Sequence, residues 1–160
     1  MKKELLGIIS FVFVMGFLIA GCSQVPAKEE LKLPTQTKSE EAEEMMQMKI
    51  GEVPVNVKWE DNGSVDALKE LCRETPLTIQ MSMYGGFEQV GSIGQSLPRE
   101  DSQTTTQAGD IVLYSGDQMV VFYGSNSWAY TRLGHITDKS PEELEELLGN
   151  GDVDITISVE

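Results

Sequence analysis

Three groups of side chains in this sequence have the chemistry and spacing to act on something. Cys22 closes the stretch "LIAGC" and offers a sulfur that can form a disulfide, ligate a metal or take a covalent anchor. Trp128, Tyr130 and Arg132 stand two residues apart, so in an extended segment they project to one side. Two rings beside a guanidinium make a shallow platform for a peptide, because rings stack on proline or backbone while the guanidinium donates to a carbonyl. Tyr84, Phe87, Glu88 and Gln89 surround a glycine-rich turn, "YGGFEQVG", whose glycines let a backbone turn sharply or approach a ligand closely. Each group also has a plainer reading. The aromatics can be core or rim packing, Arg132 a solvated charge, and the glycines a simple turn or bulge.

For Cys22 the plainer reading is a cysteine that stands by chance behind an ordinary cleaved signal or an uncleaved anchor, and what precedes it favours the covalent anchor. Met1-Lys2-Lys3 is a short positive start, and Leu5 to Ile19 runs almost without polar interruption. A membrane-spanning helix needs ~20 apolar residues, and this run is shorter. A basic start, a short apolar core and a small-residue site together describe a secretory signal peptide. Ile19-Ala20-Gly21-Cys22 resembles the bacterial lipobox. That resemblance implies a diacylglycerol thioether on Cys22, palmitate-type acylation, and cleavage between Gly21 and Cys22. Lipidation would leave Cys72 without a disulfide partner. A metal centre needs clustered Cys, His or carboxylate ligands, and His135, the one histidine, has no such company in the sequence. No metal and no cofactor are expected.

Removing residues 1–21 takes away Lys2, Lys3 and Glu4 and moves the formal charge from −14 to −15. Nucleic-acid affinity depends on neutralising phosphates with Lys and Arg, so nucleic acid is excluded as a partner. The same charge keeps the domain off anionic head groups. The lipid alone would then hold it at the membrane, on the extracytoplasmic face, where two acyl chains suffice for stable anchoring. Residues 22–46 hold two prolines, many charges and few large apolar groups, the composition of a disordered acidic tether. As a flexible coil of about two dozen residues it would reach roughly 25–30 Å. Within it, "SEEAEEMM" can form a helical turn capped by Ser39.

The remaining residues, 47–160, read as one domain of short strands. Val53, Val55, Val57 and Trp59 alternate with polar neighbours, the period of a half-buried strand, and Pro54 on the outward side marks an edge. "NGSVDALKELCRE" predicts a helix capped by Ser64, with Val65, Leu68, Leu71 and Cys72 on its apolar face. Leu77, Ile79, Met81 and Met83 predict a second strand with both methionines in the core. Arg99 to Gln107 reads as a polar surface connection. In "GDIVLYSGDQMVVFYG" two strands flank Gly116-Asp117, a two-residue loop of the type II′ kind. "WAYTRLGHI" predicts a further strand. "SPEELEELLG" is a short helix with Ser140 as N-cap, Pro141 at its first position, Glu143 closing a capping box and Gly149 as stop. Val153 to Val159 alternates as a last strand. About eight strands at this spacing suggest a sandwich or a closed antiparallel barrel, which removes strand edges.

Several segments together resemble bacterial cyclophilin-like domain proteins: "MSMYGGFEQVGSIGQSLP", "TTQAGDIVLYSGDQMVVFYGSNSWAYTRLGHI" and the final helix and strand. The most specific parts are "YGGFEQVG" and "GSNSWAYTRLG". The resemblance implies a mainly β fold, the cyclophilin-like barrel of eight antiparallel strands with a helix closing each end. True prolyl isomerases of that fold carry an arginine on a central strand followed by a "FMxQGG" stretch. Here "LTIQMSMYGGF" keeps Gly85-Gly86 without the arginine or the phenylalanine. That arginine matters because the twisted amide of the ~20 kcal/mol isomerisation barrier must be stabilised.

The expectation is a membrane-anchored, extracytoplasmic lipoprotein that binds peptide or exported protein segments and names no catalytic residue. The alternative is a prolyl isomerase assisting folding, with Arg132 or Arg99 replacing the missing group. The solute receptor of a transporter ranks lower, since one small barrel lacks two closing lobes. A serine hydrolase has no support, because "GSIG" is not a Gly-x-Ser-x-Gly elbow. Nor does the glycine-rich turn end in the Gly-Lys-Ser/Thr of a phosphate loop.

Overall fold

A computed structural model describes residues 44–160. The signal segment, Cys22, Ser39 and all but the last residues of the tether lie outside them. Ten strands and two helices follow one another: β1 (Met46–Ile50), β2 (Val53–Val55), β3 (Val57–Trp59), α1 (Gly63–Cys72), β4 (Leu77–Tyr84), β5 (Glu88–Ser92), β6 (Ser102–Thr105), β7 (Asp110–Tyr114), β8 (Gln118–Phe122), β9 (Ser127–Ile136), α2 (Pro141–Leu148) and β10 (Val153–Val159). The main ladder runs β2-β1-β10-β4-β5-β8-β7-β9-β3, and β6 pairs with β9 outside it. Every pairing is antiparallel.

The two ends of this ladder, β2 and β3, are separated in the chain by Asn56 alone. The alternating run 53–59, expected as one strand, therefore changes partner halfway. Its first half pairs with β1 and its second half with β9. That handover rolls the sheet into a nearly closed barrel. Asn56 is held at the seam: its N–H donates to Asp138 Oδ1 at 2.8 Å and its carbonyl accepts from Thr137 N at 2.8 Å. Pro54 lies exposed on β2, where a missing N–H costs no ladder bond.

The core sits inside the barrel. Met48 and Ile50 of β1, Ile79 and Met81 of β4, Ile111 and Leu113 of β7, Met119 and Val121 of β8, and Ile155 and Ile157 of β10 all point inward and are buried. Leu68 and Cys72 of α1 and Leu144 and Leu148 of α2 join the same cluster. Met83 is 39 % exposed rather than core. Its strand pairs with β10 only up to Met81, so beyond that point β4 has β5 alone beside it.

Local signals explain most boundaries, with four corrections. The capping box at Ser140 and Glu143 forms as expected, with Pro141 opening α2. In α1 the cap is Asn62, not Ser64: its side chain accepts from Ser64 N and Val65 N, both at 3.0 Å. Ser64 is buried instead and donates to Pro98 O at 2.6 Å. The β7–β8 hairpin has three loop residues rather than two, since Tyr114 pairs with Gln118. Ser115 (φ 53) and Gly116 (φ 88) both take the left-handed conformation. The polar connection 99–107 contains β6, pinned to β9 by four residue pairs. A strand not read from the sequence, β1, sits between β10 and β2.

Candidate functional site

Strands β5, β8 and β7 have two occupied faces. Their inward residues build the core, and their outward residues build a second apolar cluster of Val112, Val120, Phe122 and Tyr130, with Phe87 and Val90 packed on it. Register lines this outer face up in rows. Tyr84, Glu88 and Phe122 are paired across β4, β5 and β8, and Val90, Val120 and Val112 across β5, β8 and β7. Strand β9 runs beside β6 from Ser127 to Tyr130 and joins β7 only from Thr131, which places Tyr130 and Trp128 over the edge of this face.

The result is a cavity of ≈ 350 Å³ on the outside of the barrel. Val90 and Val120 form its floor, Tyr84 and Glu88 one wall, Tyr130 and Trp128 the opposite wall, and Tyr114, Gln118 and Asn126 complete it. Tyr130 is fixed. It meets Tyr114 edge-on at 6.1 Å and Phe122 at 5.8 Å, and its hydroxyl accepts from Asn126 Nδ2 at 3.0 Å. Trp128 and Tyr84 are 57 % and 67 % exposed and stand free at the rim.

The β4–β5 turn sets Tyr84 beside Glu88. Gly85 (φ 64) and Gly86 (φ 75) take the left-handed conformation that L side chains rarely adopt, and a Cβ on Gly85 would lie 2.4 Å from the Phe87 ring. The turn is tied to the end of β8, where the Phe87 carbonyl accepts from Tyr123 N at 3.0 Å and Gly124 N at 2.9 Å.

Glu88 is the unusual group. It is 6 % exposed, and its Oε2 is buried with no hydrogen-bond partner. Among the described residues no basic side chain forms an ion pair with it. Burial pushes its pKa up from 4.5 to about 7, since loss of solvent penalises the carboxylate. Burial also pushes the Tyr130 hydroxyl up, and the negative charge of Glu88 adds to that. A carboxyl that titrates near neutrality in an aromatic-walled cavity can bind a cation, donate to an acceptor or exchange a proton.

The other residues expected to act lie elsewhere. Gln89 points into the barrel, where its amide donates to Leu148 O at 2.6 Å and Gly151 O at 2.7 Å and closes the end of α2. Phe87 is packing for the outer cluster and the turn. Arg132 does not line the cavity. Its guanidinium donates to Asp110 Oδ1 at 2.8 Å and lies 3.6 Å from Glu60. His135 shares the same Asp110 oxygen at 2.8 Å, so a buried carboxylate ties β7 to β9 through two side chains. Tyr114 and Asn126 were missed by sequence reasoning. Tyr114 sits at the foot of the hairpin on the outward period, a signal present in the chain, whereas Asn126 acquires its place only through the path of β9. Among the described residues no group of three His, Cys, Asp or Glu side chains could hold a metal ion.

Comparison with known proteins agrees with this architecture. None of the curated proteins compared with the chain matches it. Among solved structures, that of McbB in complex with tryptophan is similar, with a TM-score of 0.54 and 11 % identity over 71 % of this chain. The likeness is one of fold, and this chain spans less than half of McbB, 44 % of its length. Residues 48–160, the barrel with both helices and the outer cavity, match the model of the cyclophilin-like family, and the chain belongs to that family.

Proposed function

We propose that this protein is a lipid-anchored, extracytoplasmic binding module whose barrel grips a peptide or exported protein segment in the outer cavity. The anchor follows from the basic, apolar and small-residue series that ends at Cys22. Binding is carried by one observation: two exposed aromatic rings, Trp128 and Tyr84, border a concave site with an apolar floor. Aromatic anchors around desolvated floors dominate contact energetics. Binding without turnover is favoured over isomerisation because neither arginine named for that role lines the cavity: Arg132 is held by Asp110 and Glu60, and Arg99 pairs with Asp101.

The test uses the full-length chain in non-ionic detergent, titrated with a proline-containing tetrapeptide and its proline-free counterpart. Saturable quenching of tryptophan fluorescence that disappears in Trp128→Ala is expected, with no change in the peptide's cis–trans exchange rate. Absence of saturable binding to both peptides removes the module reading, and faster exchange replaces it with an isomerase. In parallel, Cys22→Ala should abolish processing and shift the protein out of the membrane fraction. Unchanged retention would remove the anchor.

A further inference from the structure

We propose that the outer cavity selects ligands bearing an ammonium group on an apolar stem, with Glu88 as the counter-ion and the surrounding rings as the cage. This deepens the binding reading and rests on it. The central fact is a buried acid that the protein leaves unanswered. Glu88 is more than nine-tenths buried, it lines the cavity, and its Oε2 has no donor. Buried polar groups are nearly always hydrogen-bonded, so a cavity-lining carboxyl with an orphaned oxygen marks the place for a donor that arrives with the ligand.

The neighbours of Glu88 narrow the choice of donor. Tyr84 pairs with it from β4, and Tyr130 of β9 and Tyr114 of β7 line the same cavity. The Tyr123 hydroxyl, just past β8, is pushed up by burial, then by the charge of Glu145, then by that of Glu88. Both charged groups acting on Tyr123 are negative, Glu145 of α2 first and Glu88 after it. None of these supplies a cation. Three tyrosines and a tryptophan offer electron-rich faces to one, and cation–π contact adds to the ion pair when the site is dry. The chain's formal charge of −14 raises the local concentration of cations further. A single carboxylate among rings lacks the oxygen set a calcium or magnesium ion requires. An organic ammonium fits both the charge and the apolar walls.

The ammonium can come from a free amine or from a lysine side chain of an exported segment. Calorimetry on the full-length chain in non-ionic micelles separates these sources, using 2-phenylethylamine, acetyl-lysine N-methylamide and the uncharged 2-phenylethanol. At pH 8 at least one ammonium probe should bind at least ~10-fold more tightly than 2-phenylethanol. Binding of the amine alone assigns free amines, and binding of the lysine derivative assigns a side chain. Because the carboxylate is required, ammonium affinity should fall roughly tenfold from pH 8 to pH 6, with protons released on binding. Glu88→Gln should remove the preference, bringing the ammonium probes to the affinity of 2-phenylethanol. Equal affinity for charged and uncharged probes would overturn the proposal, as would failure of both ammonium probes at millimolar concentration. Affinity that rises as pH falls would also overturn it, because a neutral carboxyl would then be donating to a carbonyl. The wild-type pH profile decides even if the variant fails to fold, and the tetrapeptide titration stands or falls separately.

Discussion

Glu88 and Gln89 are neighbours in β5, both buried, and they meet opposite fates because successive residues of a strand face opposite ways. Gln89 enters the barrel and uses both amide hydrogens on the carbonyls of Leu148 and Gly151. Glu88 enters the outer cavity and is given nothing. Inside, polarity is spent on holding a helix end to the sheet. Outside, it is held in reserve. Gln89 Oε1 is also buried without a partner, so the contrast lies in what the two side chains face: one closes a helix end inside the barrel, the other lines an open cavity.

Three substitutions can break or sharpen that contrast. The largest effect should come from Gln89→Leu. It leaves the buried Leu148 carbonyl and the partly buried Gly151 carbonyl without their donor, and the urea midpoint should drop by an amount equivalent to about 2–3 kcal/mol. A loss under about 1 kcal/mol would show that the inner face does not depend on this bond pair. Glu88→Gln should act in the opposite direction. The folded-state pKa of Glu88 lies above its unfolded value of 4.5, at about 7, so its contribution is full below 4.5 and is lost as pH rises through 7. The amide variant escapes that penalty, and at pH 8 it should be more stable than wild type by on the order of 2 kcal/mol, with the difference vanishing near pH 4.5. Melts at the two pH values measure it. The smallest stability effect belongs to Trp128→Ala. An exposed ring at the rim should change stability by less than about 0.5 kcal/mol, while peptide affinity falls roughly tenfold.

How far this was legible depended on whether a signal was local. The capping box of α2, the outward Pro54, the alternation of β4 as far as Met81 and that of β10 are properties of neighbouring residues, and they read correctly. The cyclophilin-like barrel followed from quoted segments rather than from periodicity. What escaped is long-range. Nothing near residue 56 says that a seven-residue alternating run will change partners there. Nothing in a run of threonines says that β6 will find β9. Ser64 and Asn62 are both good caps, and only Pro98 O, thirty-four residues away, recruits Ser64 for another bond. Arg132 shares an outward period with Trp128 and Tyr130, yet Asp110 captures it from the neighbouring strand. Charge pairing across strands overrides where a side chain would otherwise point.

The handover at Asn56 also governs how this molecule behaves in company. Its outermost strands, β2 and β3, are three residues each, and one contains a proline that cannot donate. At this seam a stranger seeking to extend the main ladder finds two stubs instead of a template, and the remaining edge, β6, is only four residues long. Short edges are one way β proteins avoid joining edge to edge.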